Sequence, residues 1–301
     1  MKTKLSKFAP IDGFPNLPII DGIKLSAINA GISKQNKRDL LLIEGSRNAI
    51  ICGLFTKSET CSAAVDWSRE NIKKLQNKDK PIGILVNSGN ANVFTGKAGI
   101  NTVKETVLSV AQHLNTSKEN VFVASTGVIG ELLNYQKITS QVGNLTKYLT
   151  PNNFSNAAEA IMTTDTYPKG VHRELILGQT RININGIAKG SGMIAPNMAT
   201  MLVFIFSDAS IKKSVLQKII TNCNNNSFNC ITVDSDMSTS DSLFVIATGT
   251  SKMPQITNIR DPRAIQFEKC LAKTMLDLAH LVVKDGDGIT KFIEVTVKGA
   301  D

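Results

Sequence analysis

A layered α/β fold with mixed or antiparallel sheets is the architecture this sequence predicts. Short β-rich runs alternate with stretches of helical periodicity along the whole chain. Hairpin signals stand between strands. No Gly-x-Gly-x-x-Gly follows a strand into a helix, which argues against a doubly wound nucleotide fold. The chain of 301 residues is 42% hydrophobic and 20% charged, enough for one large globular domain or two ordinary ones, and it shows no internal repeat, low-complexity tract or linker.

Taken in order, "LLLIEG" (40–45) and "AIICGLFT" (49–56) read as neighbouring strands, and "IGILVN" from Ile82 as another. Beyond the Gly/Asn-rich "SGNANVFTG", the apolar positions Val103, Val107, Val110, Ala111 and Leu114 recur at helical spacing. They predict an amphipathic helix capped by Asn101 or Thr102. "VFVAST" (121–126) is a strand that ends in the glycine-punctuated turn "GVIG". Ala157, Ala158, Ile161 and Met162 suggest a short helix leading into "TTDTYPK". "RELILGQTRININGIAKGSG" (173–192) reads as a hairpin. "MLVFIF" (201–206), apolar on both faces, belongs in the middle of a sheet. Val215, Ile219, Ile220 and Cys223 mark a helix, "CITVD" (230–234) and "SLFVIATG" (242–249) two strands. Phe267, Leu271, Met275, Leu278 and Val282 mark a longer helix, and "TKFIEVTVKG" (290–299) alternates as a half-buried strand.

Composition narrows the function. The longest clean apolar run has six residues, far short of the roughly 20 that span a bilayer. The N-terminal "MKTKLSKFAPIDGF" has lysines but no apolar signal core behind them. The expectation is a cytoplasmic protein with no membrane partner. Five cysteines, an odd number without a Cys-x-x-Cys pair, read as reduced thiols, and three scattered histidines make a metal centre unexpected. A formal charge of +9 attracts anions. The lysines are dispersed, with "KQNKR" (34–38) and "KKLQNKDK" (73–80) the densest groups and no aromatic residues interleaved. That pattern favours a small carboxylate metabolite over nucleic acid.

One segment carries chemistry. In "KGSGMIAPNMATML" (189–202), Thr200 opens the buried-reading strand behind Gly190, Gly192 and Pro196. Taken alone, a threonine starting a strand is ordinary β-propensity. The tight approach would also suit attack by its hydroxyl on the carbonyl of Ala199. Cleavage there would give Thr200 a free α-amine able to act as general base for its own hydroxyl. The segment resembles the self-cleavage site of the glutamate/ornithine N-acetyltransferase family of arginine biosynthesis. Five further blocks resemble that family in its order: "LVNSGNANVFTG" (85–96), "STGVIGE" (125–131), "IMTTDTYPK" (161–169), "ITVDSDMSTSDS" (231–242) and "DGDGITKF" (285–292).

The resemblance implies two sheets sandwiched between helices, an α-β-β-α layering assembled from an N-terminal piece, residues 1–199, and a C-terminal piece, residues 200–301. It makes Thr200 the nucleophile, with cleavage between Ala199 and Thr200. It makes Thr126 and Gly127 the oxyanion-hole pair, and Thr163, Lys189, Thr200 and Asp287 the substrate contacts. A Thr-Gly at a strand end can aim a hydroxyl and a backbone N–H at one point, although by itself it is also a simple turn. A lysine suits an α-carboxylate, although a solvated hairpin lysine is the plainer reading of Lys189 alone. Asp165 would orient a neighbour or cap a turn.

The implied reaction moves an acetyl group from N-acetylornithine to glutamate through an acyl-enzyme and needs no metal or cofactor; acetyl-CoA is a donor that some family members accept. The implied assembly pairs the two pieces into an αβ hetero-oligomer such as a heterotetramer. Two other readings stand beside it: a self-cleaving aminopeptidase-like hydrolase of the same layout, and a family member without activity. Asp287 stands where glutamate is usual, Ser235 where glycine is usual and Ser240 where asparagine is usual. The chain also stops before the family's C-terminal segment, which carries further substrate contacts.

Overall fold

The computed structural model describes residues 4–74, 78–196 and 201–299. Its strands are β1 (Ile23–Ile28), β2 (Leu40–Gly45), β3 (Ile50–Phe55), β4 (Ile82–Asn90), β5 (Val121–Val128), β6 (Lys169–Leu177), β7 (Thr180–Lys189), β8 (Leu202–Ser207) and β9 (Ser242–Ala247). The helices are α1 (Ala63–Lys73), α2 (Gly96–His113), α3 (Tyr135–Lys147), α4 (Phe154–Ala160), α5 (Lys213–Asn225) and α6 (Pro262–Val283).

Two mixed sheets form. One runs β1-β2-β4-β5, the other β3-β9-β8-β7-β6. Pairing is antiparallel except for β4 with β5 and β8 with β9. The inner faces meet in a core that includes Ile43, Ile84 and Phe122 from the first sheet and Ile51, Phe204 and Phe244 from the second. Phe204 and Phe244 stack at 5.9 Å between centroids, and Phe122 meets Phe244 edge-on from across the layer. Helices α1, α2 and α3 cover the outer face of the first sheet, and α5 and α6 that of the second. The result is the α-β-β-α layering that the family resemblance implied.

Strand β8 explains its own composition. Leu202, Phe204 and Phe206 point into the layer between the sheets, while Val203 and Ile205 point at the helices. With β7 and β9 on its two edges, none of its surface meets water, so both phases of its alternation must be apolar. The hairpin of β6 and β7 and the amphipathic α5 and α6 also lie where the pattern placed them. Helix α6 starts on Asp261, whose side chain accepts from the Arg263 N–H, with Pro262 in the first turn.

Several readings need correction. The runs at 40–45 and 49–56 are strands, but β2 and β3 belong to different sheets. A short connection carries the chain from one layer to the other, and periodicity within each strand says nothing about which layer it joins. Helix α2 begins at Gly96, ahead of the expected caps. Thr102 instead donates its hydroxyl to the Leu133 carbonyl at 3.2 Å. "CITVD" forms no strand. Both edges of β8 are taken, and the segment's polar groups go to the 193–194 backbone, with the Val233 N–H bound to the Ile194 carbonyl at 2.9 Å. Residues 290–299 form no strand either. Ile293, Val295 and Val297 are 74%, 80% and 75% exposed, because alternation yields a strand only beside a neighbour to pair with, and among the described residues there is none.

Candidate active site

The parallel pair β4 and β5 runs in register to Gly89 opposite Gly127, where the ladder shifts at Asn90. The chain can turn there because of Gly127. Its φ is +128°, and a Cβ on it would lie 2.4 Å from the Gly89 carbonyl carbon and 2.6 Å from the Asn90 nitrogen. Only glycine fits so close an approach. Thr126, 4% exposed, precedes it at the strand end.

This strand end opens on a cleft of about 810 Å³ between the two halves of the sandwich. Thr126, Gly127, Thr163, Lys189 and Asp287 all line it, joined by the 31–37 segment, Met193 and Asp234. Residues separated by up to 256 positions in sequence, Gly31 and Asp287, are thus brought to one place. Ala199 and Thr200 lie outside the described residues. Leu202 is paired with Lys189 in the β7–β8 ladder, so the chain reaches residue 200 only two positions before the partner of a cleft lysine.

The flanks of residues 197–200 are held from one loop. Asp234 accepts from the Met193 N–H at 2.6 Å and the Ile194 N–H at 2.9 Å. Asp241 accepts from the Met201 N–H at 2.7 Å, and the Met201 carbonyl accepts from the Ser242 N–H at 3.2 Å. Met193 and Ser235 both sit at positive φ, +55° and +65°. Ser235 therefore occupies the backbone region that the glycine usual at this position would adopt more readily. Ser240 is buried, and its N–H donates to the Ser238 hydroxyl at 3.0 Å.

Lys189 is 2% exposed at the end of β7 and donates to the Thr163 hydroxyl at 3.2 Å. The solvated-lysine reading is overturned: β7 is an interior strand of its sheet, and its terminal side chain turns into the cleft rather than into water. Burial pulls the ammonium's pKa down, while Asp165 and Asp241 act to raise it. Asp165 orients its neighbours. One of its oxygens accepts from the Gly190 N–H at 2.7 Å, the other from the Thr163 N–H at 3.0 Å. It therefore locks the end of β7 to the Thr163 segment.

Beneath lies a wholly buried ion cluster. The Lys169 Nζ donates to Asp165 at 2.7 Å and to Asp285 at 2.6 Å, and Asp285 also accepts from the Thr166 N–H at 2.9 Å and from its hydroxyl. Burial alone would raise the pKa of Asp165, but Lys169 and Lys189 outweigh it and hold the carboxyl well below its usual range. For Asp241 burial wins, and its pKa is pushed up to about 8. Asp287, at the rim, is raised by partial burial and by the nearby carboxylates of Asp165, Asp285 and Asp234. Sequence reasoning missed Lys169, Asp285, Asp234 and Asp241 as parts of this site. All four stand in blocks singled out for other reasons, Lys169 in 161–169, Asp285 in 285–292, Asp234 and Asp241 in 231–242, and nothing local distinguishes a buried aspartate from a turn residue.

A hydroxyl and a backbone amide at a strand end, a buried lysine across the cleft and a rim carboxylate can bind a molecule carrying both amino-acid charges and stabilise a developing oxyanion beside it. Such a site on an α-β-β-α sandwich suits acyl-transfer chemistry.

Residues 24–301 match the model of the ArgJ family, and the chain belongs to that family. It is 45% identical over 298 residues to the arginine biosynthesis bifunctional protein ArgJ of Ruegeria pomeroyi, covering 99% of this chain and 71% of that protein. The solved arginine biosynthesis bifunctional protein ArgJ of Bacillus halodurans matches with a TM-score of 0.52 and 30% identity, over 60% of this chain and 92% of that one. A Burkholderia β-aminopeptidase shares the fold, with a TM-score of 0.50 at 12% identity, over 94% of this chain and 91% of that one.

Proposed function

We propose that this ArgJ-family enzyme moves an acetyl group from N2-acetyl-L-ornithine to L-glutamate in arginine biosynthesis, through an acyl-enzyme on Thr200. The observation that carries the proposal is the convergence of Thr126, Gly127, Thr163, Lys189 and Asp287 on one cleft.

Maturation comes first. The Thr200 hydroxyl attacks the Ala199 carbonyl carbon, the C–N bond breaks, and the hydroxyl proton passes to the departing nitrogen. Water then hydrolyses the resulting ester, leaving a carboxylate on Ala199 and a free hydroxyl and α-amine on Thr200. In transfer, the α-amine takes the hydroxyl proton as Thr200 attacks the acetyl carbonyl, and returns it to the departing amine of ornithine. The amine of glutamate then attacks the ester and regenerates Thr200. Thr126 and the Gly127 N–H stabilise the oxyanion in both halves. Lys189 receives the substrate α-carboxylate and Asp287 an ammonium group. A soluble αβ assembly of the 1–199 and 200–301 pieces is part of the same reading. The solved Bacillus halodurans chain is about two-thirds as long as this one, the length that an N-terminal product would have.

Intact-mass analysis beside a Thr200→Ala control tests this reading. Two chains meeting between Ala199 and Thr200 are expected from the wild type, a single chain from the variant, and an acetyl adduct on the C-terminal piece after exposure to N-acetylornithine. Cleaved protein that never acquires the adduct would sink the proposal. Release of acetate independent of glutamate would favour a hydrolase instead.

A further inference from the structure

Lys37 also lines the cleft, and the acetyl transfer gives it no role. Its Nζ donates to the Met162 carbonyl at 2.6 Å, while the Lys189 Nζ donates to the hydroxyl of the next residue, Thr163, at 3.2 Å. Two ammonium groups are thus anchored on adjacent residues of one segment, close enough that the charge of Lys37 helps to lower the pKa of Lys189. Each ammonium has three donors. Among the described residues each makes one hydrogen bond, and neither has an ion pair to Lys37 or Lys189 in return. The other lysines at the cleft are exposed and already engaged, Lys34 with Glu131 at 3.7 Å and Lys137 with the Gly31 carbonyl at 2.5 Å.

Lys37 stands on a built wall. Asp39, wholly buried, accepts from the Ala30, Ile32 and Ser33 N–H groups at 2.7, 2.6 and 2.7 Å. Ser33 packs on Gly89, where a Cβ would lie 2.7 Å from the Ser33 Cα, and Arg38 pairs with Glu159 of α4 at 2.9 Å. The carboxylates nearest in effect do not neutralise Lys37. Burial lowers its pKa, and Asp165 and Asp39 act to raise it, but the oxygens of Asp39 are engaged by those three amides and the oxygens of Asp165 by Thr163, Gly190 and Lys169. A partly desolvated cation without an anion is costly, and a carboxylate entering the cleft would remove that cost. The acceptor proposed above carries two carboxylates, and Lys189 accounts for one.

We propose that Lys37 receives the side-chain carboxylate of the acceptor, so that Lys37 and Lys189 together select a dicarboxylic amino acid over its uncharged counterparts. This inference rests on the assignment of glutamate as acceptor and of Lys189 as the partner of its α-carboxylate. A neutral side chain would leave the Lys37 donors unmatched, which is how a site built for one polar group rejects its analogue. Lys37 therefore acts on binding, and the reacting atoms lie elsewhere.

The experiment titrates L-glutamate and its amide, L-glutamine, calorimetrically into wild type, Lys37→Met, Lys37→Arg and Lys189→Met, and then measures acetyl transfer to glutamate. Wild type should bind glutamate about 30-fold more tightly than glutamine, the worth of one hydrogen bond between charged groups. Lys37→Met should lose that preference by weakening glutamate alone, its unchanged affinity for glutamine showing that the cleft is intact. Lys37→Arg should keep most of the preference, and Lys189→Met should weaken both ligands alike. In transfer, Lys37→Met should raise the KM for glutamate about 30-fold with kcat much less affected, as expected when uniform binding is lost. A preference that survives in Lys37→Met, or a loss that falls equally on glutamate and glutamine, would overturn the proposal. So would a wild type that binds the two equally. If wild type binds neither, it is the acceptor assignment that fails, and this inference with it.

Discussion

Asp165 and Asp241 are buried to a similar depth, 6% and 1% exposed, and both hold backbone N–H groups. Their chemistry runs in opposite directions. Asp165 has Lys169 at 2.7 Å and two amides, and stays ionised. Asp241 has one amide and the Ser238 hydroxyl, with Lys189 acting only from a distance, and its pKa rises to about 8. Burial as such therefore does not decide the state of a carboxylate; the count of donors around it does. Where donors are complete, the group serves as framework. Where they are fewer, the carboxyl holds its proton to a higher pH.

The largest effect should come from breaking the complete side. Lys169→Met strands Asp165 and Asp285 as uncompensated buried charges and should cost about 3–5 kcal/mol of stability, read from denaturant titration. On the cleft side, Thr126→Ala should act on rate instead. A lost oxyanion donor lowers kcat by about 10²–10³-fold in steady-state assays, with the thermal transition much less affected than in Lys169→Met. A pH series sharpens the contrast further. Asp165, with its folded pKa depressed, contributes stability present above about pH 4 and lost as pH falls below it. Asp241, with its folded pKa raised, binds more protons in the folded state, so stability declines as pH rises from about 4 to about 8. Melting temperatures of Asp241→Asn against wild type should coincide near pH 4 and diverge in favour of the variant toward pH 9. The smallest effect belongs to Asp287→Glu, which restores the longer side chain usual in the family. It should lower the acceptor KM only a few-fold, a change on the order of 1 kcal/mol. An unchanged or raised KM would remove Asp287 from the acceptor site.

What was legible in the sequence follows from how local each signal is. The two-faced β8, the hairpin of β6 and β7 and the long α6 announce themselves because their apolar positions sit on their own periods. Helix α3 went unread although Ile138, Val142 and Leu145 keep helical spacing, since Gly143 and several polar residues interrupt the pattern. The sheet membership of β2 and β3 is a tertiary fact, absent from either strand. The cleft residues Thr126, Gly127, Thr163, Lys189 and Asp287 were nameable through motif blocks. The support beneath them lies in the same blocks, but its pairing does not show there, because Lys169 and Asp285 meet across 116 residues and an aspartate in a loop carries no mark of the cation it will find.

The order β3-β9-β8-β7-β6 would give the proposed cleavage a further consequence. A cut before residue 200 would assign β8 and β9 to one polypeptide and their outer neighbours β7 and β3 to the other, with six paired residues along each seam. Such a nick would leave the native molecule held together by these ladders, yet it would change what denaturation means. An uncut chain would refold alone at any dilution, whereas the cut molecule, once melted, must find its other half. Recovery after heating would then depend on protein concentration, and maturation would commit the enzyme to a folded state that it reaches easily only once.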